Sequence, residues 1–132
     1  MTRALLLVAA LLAAAHASAQ QIASPSEFLD AAEGRTMTFV GDDTGALVGT
    51  ERFLSRERTV WARADGSCSY GRVFAQGPEL CFEYEDDAGR LHCWWPFRQD
   101  GTLKVRSTST LEVQRIARIS DDMVGCEGEP IS

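Results

Sequence analysis

The sequence predicts an all-β domain: one antiparallel meander of about eight strands closing into a small barrel or a curved sheet, with one short N-terminal helix and two disulfides. Three observations carry this. From Thr36 onward, short segments rich in Val, Thr, Phe, Tyr and Trp alternate with clusters of Gly, Asp and Pro, which is strand-and-turn punctuation. The connections are too short for parallel crossovers, which need a dozen or more residues, so successive strands are antiparallel neighbours. Four cysteines stand in a chain whose N-terminus reads as an export signal.

The first 19 residues are expected to be a secretory signal peptide. Arg3 gives the positive start, Ala4 to Ala15 is an apolar run, and Ala17-Ser18-Ala19 is a small-x-small cleavage site, with cleavage after Ala19. The run is shorter than the ~20 residues that cross a bilayer. The remainder, residues 20–132, is expected to form a single β-rich domain, periplasmic or secreted and not inserted in a membrane. Of its charges, Arg3 leaves with the leader, so 12 basic residues face 19 acidic ones, a net charge of −7. That balance argues against nucleic acid as a partner and leaves a protein or small ligand of the cell envelope.

Each element has its own signal. Ser24-Pro25-Ser26-Glu27 is a capping box with proline at the first helical position, and Gly34 follows the end, so a helix is expected over 25–33. Phe28, Leu29 and Ala32 fall on one face of it and would dock it. Turn clusters then delimit strands at 36–40, 46–54, 58–64, 67–75, 79–86, 90–98, 102–107 and 111–119, leaving a C-terminal tail over 120–132. A closed barrel leaves no exposed edge, which favours it over a two-sheet sandwich.

The hairpin around residues 86–89 allows a finer expectation. A tight turn there pairs Glu85 with Arg90, hence Tyr84 with Leu91, Phe82 with Cys93 and Leu80 with Trp95 on one apolar face. The opposite face then carries Cys81, Glu83, His92, Trp94 and Arg98.

Four cysteines allow three pairings. Cys81 and Cys93 straddle the hairpin turn, which suggests a staple with Cys68–Cys126 as the second bond, and a loop of about 13 residues is worth ~3 kcal/mol in the chain-entropy treatment. The register just given nevertheless sets Cys81 and Cys93 on opposite faces, so the staple requires a bulge or a different turn. No Cys-x-x-Cys occurs, and outside the leader His92 is the lone histidine beside these cysteines, so neither a redox motif nor a metal site is expected, and no cofactor.

Catalytic signals are sparse. Asp43-Thr44-Gly45 matches the triplet of retropepsin-like aspartic proteases, but Asp-Asp-Thr-Gly is also an ordinary hairpin turn. Glu83, Glu85, Asp86 and Asp87 supply carboxylates that a small hydrolase would need, and equally a solvated turn. No catalytic residue is assigned. The binding candidates are Trp94, Trp95, Phe97 and Arg72. Consecutive tryptophans in a strand face opposite ways, so one of them needs a cover: the N-terminal helix through Phe28, a partner protein or a ligand. Arg72 alternates in phase with Tyr70 and Phe74, which would point it into the barrel toward a carboxylate, an aromatic face or an anion.

Gly49-Thr50-Glu51-Arg52-Phe53, Trp61, Cys68, Gly71, Cys81-Phe82-Glu83-Tyr84 and Cys93-Trp94 together resemble an uncharacterised family of small exported proteins of Gram-negative bacteria, over roughly residues 45 to 97. That resemblance implies an exported, disulfide-containing β domain and no activity. A looser likeness in charge and size is to periplasmic inhibitors of lysozyme, which implies a basic enzyme as partner. The expected function is therefore a non-catalytic binding or structural domain, with such an inhibitor or a carboxylate hydrolase as alternatives.

Overall fold

The structure is a computed structural model that describes residues 19–126. The expected leader, apart from Ala19, and the end of the expected tail lie outside the described residues. Nine strands form one antiparallel sheet: β1 (Gln20–Ile22), β2 (Thr36–Gly41), β3 (Leu47–Phe53), β4 (Arg58–Arg63), β5 (Cys68–Gln76), β6 (Glu79–Tyr84), β7 (His92–Gln99), β8 (Thr102–Ser107) and β9 (Val113–Ser120). β2 to β9 close into an eight-stranded barrel, because β9 returns to pair with β2 and β7 with β8. The short strand β1 was not expected; it pairs with Phe97 to Gln99 of β7, on the stretch that β6 leaves free after Trp94. Register shifts in β2 at Thr38 to Val40, against both neighbours, supply the bend that closure needs.

Helix α1 (Pro25–Ala32) is the capped helix that the sequence signals. The Ser24 hydroxyl accepts from the Glu27 amide at 3.1 Å, and Gly34 leaves the helix at φ +70. Phe28, Leu29 and Ala32 are buried among Met37, Phe53 and Val73, so α1 closes one end of the barrel. Arg56, in the β3–β4 turn, bonds Asp30 and fastens the helix from outside. No helix among the described residues is long and apolar enough to cross a membrane.

Both disulfides have the expected pairing, Cys68–Cys126 and Cys81–Cys93, and such bonds belong to an oxidising, non-cytoplasmic compartment. The hairpin register, however, differs by one residue from expectation. Cys81 stands directly opposite Cys93, Phe82 opposite His92 and Leu80 opposite Trp94. The cause is the connection: Glu85–Asp87 forms a 3₁₀ turn, with the Arg90 amide bonded to the Asp87 carbonyl and the Gly89 amide to the Glu83 carboxylate. That longer connection replaces the tight turn over 86–89, and a one-residue slip exchanges the faces of a whole strand. Trp94 consequently faces the interior and Trp95 the exterior, the reverse of the expected arrangement.

Candidate functional site

The barrel is incompletely filled. A cavity of ≈ 250 Å³ lies inside it, lined by Phe28 at the plugged end, by Phe39, Trp61, Phe82, Tyr84, Trp94, Val105 and Glu51 along the walls, and by Arg63, Asp86, Asp87, His92 and Gln114 toward the opposite end. Alternation places these side chains. Gly49, Glu51 and Phe53 of β3 point inward, as do Phe82 and Tyr84 of β6. Two inward glycines make room for rings of the walls: a Cβ on Gly49 would stand 2.7 Å from the Trp61 ring, and one on Gly71 2.7 Å from the ring of Tyr84. Edge-to-face contacts link Phe28, Phe53 and Phe82; Phe82 stacks on Tyr84, whose ring meets His92 at 5.8 Å.

Glu51 is the acidic residue of this interior, and only 1% of it is exposed. Its Oε1 accepts from the Tyr84 hydroxyl at 3.0 Å. The Thr59 hydroxyl is close enough to favour the ionised form somewhat, yet neither it nor Glu51 Oε2 has a partner of proper hydrogen-bond geometry. Burial outweighs the influence of both hydroxyls and pushes the Glu51 pKa up to about 8, so the carboxyl is mostly neutral at pH 7. The Tyr84 phenol is likewise pushed up, by burial first and by the nearby Glu51 charge.

At the open end the charges are paired. Asp86 accepts from the Ser69 hydroxyl and from Arg63, which hold its carboxyl below its ordinary range. His92 Nε2 lies 3.0 Å from Asp87 Oδ2. Three acids (Glu51, Asp86, Asp87) therefore line the cavity against one arginine and one histidine, and the arginine is committed to Asp86.

The sequence-derived candidates separate into inside and outside. Trp94 lines the cavity. Trp95 faces outward and is 38% exposed; α1 does not cover it, because Phe28 enters the barrel. Phe97 is buried on the outer side of β7, with the Arg106 guanidinium over its ring at 5.6 Å. Arg72 does not point into the barrel, contrary to expectation. The inward residues of β5 are Ser69 and Val73, so Arg72 lies outside, over the Phe74 ring and bonded to Glu83 at 2.7 Å. Asp43 sits in the β2–β3 turn, where Gly45 has φ +70 and the Thr44 hydroxyl accepts from the Ala46 amide; it is not in the lining. Glu79, Cys81 and Cys93 cluster closely enough to suggest a metal, but both sulfurs are spent in the disulfide.

Glu51 and Tyr84 were not singled out from sequence. The available signal was phase: Glu51 alternates with Gly49 and Phe53, so the strand that buries Phe53 must bury a carboxyl with it. No family model matches the chain, and neither a curated protein nor a solved structure matches it.

Proposed function

We propose that this chain is a non-catalytic binding domain that holds one small ligand inside the barrel. The observation that carries the reading is the aromatic cavity built around a buried carboxyl with one unsatisfied oxygen. Eight-stranded barrels have interiors that side chains just fill or that accommodate a single small ligand, and here the aromatic walls leave ≈ 250 Å³ between them. A buried polar atom without a partner is costly, and a ligand group that meets it recovers that cost. An engineered apolar cavity of 150 Å³ admits benzene; scaling from it, ≈ 250 Å³ suits about ten non-hydrogen atoms. A binding role also fits the lining because its ionisable groups are tied to one another, Asp86 to Ser69 and Arg63, Asp87 to His92 and Glu51 to Tyr84.

The compartment follows the same reading: export to the periplasm or beyond, with the leader removed after Ala19. Its support is the pair of disulfides.

The test is a thermal-shift screen of aromatic compounds of about ten non-hydrogen atoms, run on the wild type and on Val105→Phe, which fills the cavity from β8. Compounds that stabilise the wild type and lose their effect in a folded Val105→Phe protein support interior binding. Stabilisation that survives the filling, or its absence throughout the screen, rejects it.

A further inference from the structure

We infer that the ligand is a small aromatic amine bound as its cation, with its ammonium on the unsatisfied oxygen of Glu51 and its ring against the aromatic lining; this rests on the interior-binding reading above. Four observations converge. Tyr84 occupies Glu51 Oε1, leaving Oε2 without a hydrogen-bond partner of proper geometry, the Thr59 hydroxyl beside it included; once ionised, that oxygen is free to accept. The lining offers the rings of Phe39, Trp61, Phe82, Tyr84 and Trp94, whose faces attract a cation. The charges of the lining are mainly acidic, so an anion would meet Glu51 without a counter-charge of its own. The overall negative charge of the chain draws cations to the same site.

The groups facing Glu51 define what its ionisation feels. Tyr84 comes from β6, Thr59 and Arg63 from β4, Asp86 and Asp87 from the 3₁₀ turn and His92 from β7; β2, β8 and β9 contribute the uncharged Phe39, Val105 and Gln114. Arg63 is held by Asp86 and His92 by Asp87, so no described cation of the protein neutralises Glu51 directly. An arriving ammonium supplies that charge and displaces the carboxyl proton to solvent. With the free carboxyl titrating at about 8, binding at pH 7 releases roughly nine-tenths of a proton, and affinity rises about tenfold per pH unit between 6 and 8 before levelling.

The experiment compares 2-phenylethylamine with its uncharged and anionic counterparts, 2-phenylethanol and phenylacetate. Binding is followed by tryptophan fluorescence, and calorimetry in two buffers of different ionisation enthalpy counts the protons. The expected result is binding of the amine at least about 30-fold tighter than either counterpart, with proton release. Glu51→Gln keeps a partner for Tyr84 and removes the buried charge, so it folds; it should lose about 30-fold in amine affinity together with the pH dependence. Equal or tighter binding of the alcohol or of phenylacetate overturns the amine assignment and leaves interior binding standing. A pH slope that persists in Glu51→Gln belongs to His92 and Asp87, and overturns the role of Glu51. If none of the three binds at millimolar concentration, the amine assignment falls, and the Val105→Phe comparison decides separately whether anything occupies the cavity.

Discussion

The Tyr84 hydroxyl donates to Glu51 Oε1 at 3.0 Å inside the barrel, joining strands β6 and β3, which are not neighbours in the sheet. The contact depends on Gly71, the residue of β5 paired with Tyr84, whose missing side chain leaves room for the tyrosine ring. Three positions thus set one buried polar pair, and its energetics can be tested separately from any ligand.

Glu51 makes stability fall as pH rises. Its folded pKa of about 8 lies above an ordinary value of 4.5, so the folded state keeps a proton that the unfolded state loses. The contribution is fully present below pH 4.5 and lost progressively up to pH 8, by about 3 kcal/mol at pH 7 and about 5 kcal/mol above pH 8. Glu51→Gln removes this dependence. Chemical denaturation from pH 4.5 to 9 should therefore find the variant increasingly more stable than the wild type up to pH 8, with a constant difference beyond; parallel curves would contradict a buried, raised carboxyl.

Tyr84→Phe leaves Oε1 without its donor and is expected to cost about 1 kcal/mol at pH 6, where the carboxyl is neutral, and more at pH 9, where it is ionised. Gly71→Ala forces its methyl against the Tyr84 ring and lies 2.9 Å from the Glu83 carbonyl. About 1 to 3 kcal/mol is expected from that overpacking. In the double variant the two losses should not add, since the ring that Gly71 accommodates has already lost its anchor; additive losses would separate the two positions.

The disulfides close loops of very different length, with sequence separations of 58 for Cys68–Cys126 and 12 for Cys81–Cys93. Replacing each pair by serines should cost about 4 and about 3 kcal/mol respectively on the chain-entropy account. Cys68–Cys126 also secures the segment after β9, where Arg35 bonds Asp121 and the Thr36 hydroxyl donates to the Asp122 carbonyl. Hydrogen exchange in the Cys68→Ser/Cys126→Ser protein should therefore accelerate first along β2 and β9.

Trp94 and Trp95 should behave oppositely. Trp94→Ala enlarges the interior and is expected to lose about 2 to 3 kcal/mol, whereas Trp95→Ala, on the outer face, should lose less than about 1 kcal/mol. Acrylamide should quench the Trp95 emission readily, and an interior ligand should change the emission of Trp94 and of Trp61, which also lines the cavity, but not that of Trp95. Equal costs and equal quenching would indicate that the β6–β7 register is not the one set by Cys81 opposite Cys93.

The sequence by itself determined the strand-and-turn plan, the antiparallel order and the capped helix, because these follow from local signals, Ser24 and Gly34 around the helix and glycine and aspartate at the turns. The near symmetry of Cys81 and Cys93 about their hairpin favoured one disulfide pairing among three, and closure of the sheet and the pairing itself were decided by the tertiary structure. The tertiary structure decided which way the side chains face. A single residue of register, set by the 3₁₀ turn Glu85–Asp87, moved Trp94 inside and Trp95 outside, and the phase of β5 put Arg72 on the surface. The cavity was beyond local reading for the same reason. Its walls come from strands far apart in sequence, and Glu51 becomes chemically unusual only when closure of the barrel removes it from water and sets Tyr84 against it.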